Sequence, residues 1–177
     1  MGVINKAKNV LATAHLKILY LTLVEPYLNY CCIIWASPEK TIVLETLHKL
    51  QKRATRIIVY ADYRAHSLPL FHRLNILNIY DLCRMQILTF VFKSTNNLLP
   101  SIYINYFTFA KELHEYSTRS SKSCNLYRIT AHKSCRANVL VYRGPKYWNQ
   151  LSLSVKSASS LRIFKRVLKQ QLLLQYL

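Results

Sequence analysis

Glycine occurs only twice in the 177 residues, at Gly2 and Gly144. Loops that cradle phosphates need several glycines close together, because backbone amides must approach the anion with no side chain in the way. A chain without them builds neither a P-loop nor a dinucleotide-binding turn, so those nucleotide-binding folds are excluded. The patterns that remain are helical.

"HLKILYLTLVEPYLNYCCIIWAS", residues 15–37, is apolar on most faces, the pattern of a helix at the centre of a bundle. Pro26 should kink or divide it, and Ser37–Pro38 should close it. Its Leu16–Trp35 portion comes nearest to a membrane span but contains Lys17, Glu25, Pro26 and Asn29. A span wants about twenty mostly apolar residues, so no transmembrane segment is expected.

Residues 39–59 read as an amphipathic helix. Leu44, Leu47, Leu50, Ala54, Ile57 and Ile58 supply its apolar arc. Lys49, Lys52, Arg53 and Arg56, at offsets of zero, three, four and seven, make a basic stripe on the other side. A short helix over 69–75 should follow, with Ser67 as cap and Pro69 in the first turn. A long helix opens at Asn78, whose cap is supported by Asp81, and stops at Asn96, Asn97 and Pro100.

Beyond about residue 108 the character changes. "HEYSTRSSKSCN" is polar and loop-like, and "LYRIT" and "NVLVYRG" are candidate short strands. Gly144–Pro145 reads as a turn into a helical turn carrying Trp148. "SASS" at 157–160 caps a last helix, "LRIFKRVLKQQLLL". There Arg162, Lys165, Arg166 and Lys169 repeat the basic spacing, over a core face of Leu161, Phe164, Val167, Leu168 and Leu172. The expected fold is mostly α: a helical domain over 1–107, then a basic, partly irregular extension over 108–177 with candidate short strands and a terminal helix.

Charge separates the same two regions. The chain carries 25 Lys+Arg against seven Asp+Glu, a net of +18. All seven acids lie in residues 1–115, and residues 116–177 hold 12 basic residues and no acid. Such a balance favours nucleic acid or an anionic membrane surface as partner. Two basic stripes and 21 aromatic residues point to nucleic acid: cations neutralise phosphates and aromatic rings stack on unpaired bases. Most of the 13 tyrosines still read as packing residues.

Catalytic chemistry is scarce. The two aspartates, Asp62 and Asp81, are far apart and no acids adjoin, whereas two-metal phosphoryl transfer needs converging carboxylates. Zinc has one candidate set, His114, Cys124, His132 and Cys135, with a single tight H-x-x-C pair where structural sites show two. It reads as incidental, so no metal, cofactor or small-molecule substrate is expected. Pairs such as His66–Ser67 carry no triad signal. Five cysteines, an odd number, with no apolar signal sequence ahead of them fit a reducing, intracellular setting, nucleus or cytoplasm, rather than secretion.

The segments "HLKILYLTLVEPYLNYCCIIWAS", "LHKLQKRATRII", "YRAHSLPLFHRLNILNIYDLCRMQILTFVFK" and "NNLLP" resemble the region after the reverse-transcriptase palm in non-LTR retrotransposons. "HEYSTRS", "YRGPKYWNQL" and "SSLRIFKRVLK" resemble the tail of the same polyproteins, and the order agrees from about residue 2 to 170. The sequence departs at Ser117, where asparagine is common, and in "LSLSVK", which lacks a proline often found there. The resemblance implies the thumb and basic C-terminal extension of an RNA-directed DNA polymerase, holding template–primer or element RNA. In that family the palm and its metal-binding aspartates lie upstream. It also places His114, Tyr116 and Arg119 on a polar loop as further binding residues. The expected function is nucleic-acid binding by a fragment without a catalytic centre. The alternatives are an enzyme whose upstream half belongs to the same gene, an unstable relic of a transposable element, and a basic protein that coats anionic membranes with Leu16–Trp35 inserted.

Overall fold

A computed structural model describes residues 2–36, 41–103, 105–113, 123–129 and 139–177. Among these the chain is mostly helical, with no β pairing beyond a one-residue bridge between Phe109 and Leu126. Its packing groups Met1–Cys83 with Lys169–Leu177 as one unit and Arg84–Leu168 as a second. The change of composition near residue 108 is thus a division of charge, and the division of packing falls elsewhere.

In the first unit, α1 (Gly2–Ala7) and α2 (Thr13–Leu23) pack on each other and on α5 (Thr41–Val59). The chain bends at Val24, so that Pro26 falls in the first turn of α3 (Glu25–Asn29), where its missing N–H costs nothing. A second break at Cys31, in the left-handed conformation with φ 48°, separates α4 (Cys32–Trp35). The apolar run is therefore divided, as Pro26 foretold, but it is not central. Leu16, Tyr20, Leu28 and Cys32 are buried, whereas Ile18, Tyr27, Tyr30 and Ile34 are exposed. Short helices joined by bends present one face inward, and the remaining apolar side chains are left outside. Among the described residues no helix is long and apolar enough to cross a membrane. Ser37 and Pro38 lie outside the described residues.

Helix α6 (Ser67–Leu74) packs on α5. Its N-cap is His66, one residue before the expected Ser67, and it ends in a left-handed Asn75. Helix α7 (Ile79–Thr95) begins with the cap the sequence announces. Asn78 Oδ1 accepts from the Asp81 backbone N–H at 2.9 Å, and the Asn78 amide donates to Asp81 Oδ2 at 2.8 Å. The Tyr176 hydroxyl donates to the same carboxylate at 2.5 Å and accepts from the Asn78 N–H at 3.1 Å.

The second unit is built on α7 from Arg84 onward, with α8 (Leu140–Trp148), α9 (Leu153–Lys156) and α10 (Leu161–Leu174) as far as Leu168. Phe164 stacks on Phe92 with ring centroids 4.4 Å apart and on Trp148 at 6.0 Å. Ile87, Leu88, Val91, Leu126 and Val155 complete this core. The strand expectations fail on the described residues. The portion of "NVLVYRG" from Leu140 belongs to α8, and Gly144–Pro145 lies inside that helix instead of turning the chain. Burial of Arg143, Gly144, Pro145 and Trp148 outweighs the poor helix propensity of the Gly–Pro pair. In "LYRIT", beside a Tyr127 N–H bond to the Thr108 carbonyl at 2.9 Å, the one bridge residue among the described residues is Leu126. Its N–H donates to Asn149 Oδ1 at 2.8 Å and its carbonyl accepts from the Asn149 amide at 2.8 Å. A side chain satisfies the backbone that a neighbouring strand would have needed.

Candidate nucleic-acid interface

Helix α5 is buried along Leu44, Gln51, Ala54, Thr55 and Ile58. This face turns the basic residues outward: Lys49 and Arg53 are exposed, and Lys52 and Arg56 are half-buried with their stems along the helix. From Thr46 to Ala61 the sequence holds no carboxylate. The nearest acid on the helix, Glu45, stands one turn before Lys49. His48 contributes no charge near neutrality. Burial first, and the positive charge of Lys52 second, hold its imidazole below the ordinary value. Its ring lies edge-on to Tyr80 at 5.2 Å and 6.1 Å from Phe71.

Arg56 has a second task. Its Nε–H donates to the Ala65 carbonyl at 3.0 Å, and its guanidinium carbon lies 6.0 Å from the Tyr63 ring centre. It thus holds the loop after α5 against the helix end, where Tyr60 is left-handed with φ 58°. The Tyr60 hydroxyl sits 2.7 Å from the carbonyl oxygens of both Lys8 and Leu11 and shares its one proton between them. These bonds leave a cleft of about 280 Å³, lined by Asn5, Lys8, Arg53, Arg56, Ile57, Tyr60, Ala61 and Tyr63. Sequence alone does not single out Lys8, Tyr60 or Tyr63. The two tyrosines just after the stripe are the available signal, but only the packing of α1 on α5 brings in Lys8.

On α10, Phe164, Leu168 and Leu172 are buried as expected, and Arg162 and Arg166 are exposed with Lys165 half-buried. Lys169 differs. It belongs to the first unit, half-buried, where desolvation lowers its ammonium pKa, the negative charge of Glu25 opposes that, and Lys17 adds to it. Glu25 is raised in turn by its own burial, against the pull of Lys169. Lys169 thus sits half-buried in the fields of Glu25 and Lys17, while Arg162, Lys165 and Arg166 lie in the second unit.

His114, Tyr116 and Arg119 lie outside the described residues, as do His132 and Cys135 of the zinc candidate. Cys124 of that set is exposed, as is Cys31, while its neighbour Cys32 is buried. Among the described residues no group of three or more His, Cys, Asp or Glu is placed to hold a metal ion. Comparison with protein-family profiles, curated proteins and solved structures finds no match.

Proposed function

We propose that this chain is a non-catalytic nucleic-acid-binding segment, related to the thumb and C-terminal extension of non-LTR retrotransposon reverse transcriptases. The observation that carries the binding reading is the outer face of α5. Lys49, Lys52, Arg53 and Arg56 stand there without an intervening acid, above a buried face that fixes the helix. Cations so arranged neutralise successive backbone phosphates and release counterions. The kinship rests on the ordered series of sequence segments alone. Its own test is the genomic reading frame upstream of Met1, where a palm with adjacent aspartates would make the segment part of a polymerase.

The binding reading is tested by measuring affinity for an RNA or DNA hairpin between about 50 and 200 mM salt. Arg56 is left in place because it holds Ala65. The triple variant Lys49→Gln, Lys52→Gln, Arg53→Gln should flatten the log–log salt slope by about 0.9 for each phosphate no longer neutralised, with an unchanged melt. A slope equal to the parent's would make the stripe a solvated helix face and end the proposal.

A further inference from the structure

The cleft at the end of α5 has features that a plain phosphate-neutralising face does not need. Among the described residues, three cationic side chains, Lys8, Arg53 and Arg56, line it and no carboxylate does. The closest acid in sequence, Asp62, is turned to its own loop, where Oδ1 accepts from the Arg64 N–H at 2.7 Å. Beside these cations stands Tyr63, 81% exposed. The loop that carries it is held in place: Ala61 N–H donates to the Arg56 carbonyl at 3.0 Å, Ala65 N–H to the Asp62 carbonyl at 3.0 Å, and Arg56 grips Ala65. Arg56 spends one of its five donors on that grip and keeps the others for a ligand. The Tyr60 hydroxyl pins the Lys8 carbonyl to the same cleft. The cleft is thus built before any ligand arrives.

We infer that this cleft is a subsite for one unpaired nucleotide within a strand. Its phosphate lies between Lys8 and Arg53, and its base stacks on Tyr63. The inference rests on the nucleic-acid reading of α5 and adds to it a preference for single-stranded ends or loops. About 280 Å³ lies just below the usual range of small-ligand sites, more than a lone phosphate requires. The exposed ring favours a base over a lipid headgroup or a phosphorylated peptide, since every base offers a π-face for stacking. Paired bases are already stacked on their neighbours, so a duplex would offer this cleft only its backbone.

The test compares a blunt hairpin, closed by a non-nucleotide linker so that it carries no unpaired base, with the same hairpin carrying a short single-stranded overhang, both bound to the full chain and followed by fluorescence anisotropy. The overhang should strengthen binding by about tenfold, the weight of one stacked base. Tyr63→Ala should abolish that advantage while leaving blunt-hairpin affinity and the thermal melt unchanged, and Tyr63→Phe should retain it. Lys8→Gln should weaken the overhang complex and lower its salt slope by about 0.7–0.9, the share of one phosphate. Equal affinity of the parent for both hairpins, or a Tyr63→Ala loss shared equally by both, would overturn the subsite and leave the α5 reading intact. Absence of salt-dependent binding to either hairpin would sink both. Displacement of the overhang by free AMP as readily as by a dinucleotide would reassign the cleft to free nucleotides. Capture by phosphatidylserine vesicles, lost in Lys8→Gln and unaccompanied by any affinity for the hairpins, would reassign it to lipid.

Discussion

Gln51 joins three separated stretches of chain through one buried amide. Its Nε2 donates to the Tyr20 hydroxyl at 2.8 Å and to the Leu77 carbonyl at 2.9 Å, and its Oε1 accepts from the Ile79 N–H at 2.9 Å. Burial, with the Gln51 bond opposing it, pushes the Tyr20 phenol up to about 12, so the hydroxyl stays protonated and available. Gln51→Leu would fill the space and leave three buried polar groups without this partner. Each such group costs about 1–3 kcal/mol, so the variant should lose about 3 kcal/mol or more. Urea unfolding measures this, and a loss below about 1 kcal/mol would mean that water replaces the amide. The sevenfold spacing Leu44, Gln51, Ile58 places Gln51 on the apolar seam, yet its residue type reads as surface. Leu50, apolar and expected in the core, is instead 43% exposed. Periodicity marks which face is buried; it does not mark a polar residue whose partners lie on other elements.

Element boundaries are legible wherever capping chemistry is local. Asn78 with Asp81 starts α7, and the left-handed Asn97 (φ 55°) lies just past its end. Helix α8 is illegible because its glycine serves a distant neighbour. A Cβ built on Gly144 would lie 2.8 Å from Phe107 Cε1 and 2.9 Å from Val91 Cγ2. The helix is thus pressed against α7 and the Phe107 ring at the one place where no side chain intervenes. In an exposed helix, Gly144→Ala would gain about 1 kcal/mol from propensity. Here overpacking of about 1–3 kcal/mol opposes that gain, so the net change should be a lower melting temperature. Adding Phe107→Leu tests the cause: the double variant should lose less than the sum of the two single changes. Strict additivity would place the strain elsewhere. The candidate strand at Leu126 is unreadable for a related reason: it bridges the single residue Phe109, and the Leu126 N–H and carbonyl are satisfied by the side chain of Asn149.

At the scale of the whole chain, a net charge of +18 acts on stability and on binding with opposite dependence on salt. Like charges repel within the folded state, and added salt screens them. The free protein should therefore melt at a higher temperature as salt rises from low ionic strength to about 200 mM. A nucleic-acid ligand that binds only the folded state adds stability of about 2.7 kcal/mol at a hundredfold excess over its dissociation constant. That constant itself weakens steeply with salt when phosphate neutralisation drives the complex. A hairpin should then raise the melting temperature strongly at low salt and hardly at all at about 200 mM, while the free protein moves the other way. Thermal melts with and without hairpin at the two ionic strengths separate the two effects. A hairpin-induced shift that survives the higher salt would indicate that stacking on rings such as Tyr63 carries more of the affinity than the lysines and arginines. The excess of positive charge is plain in the composition. What the composition does not show is that folding brings Lys8 to the cleft that Arg53 and Arg56 line, the place proposed for one phosphate.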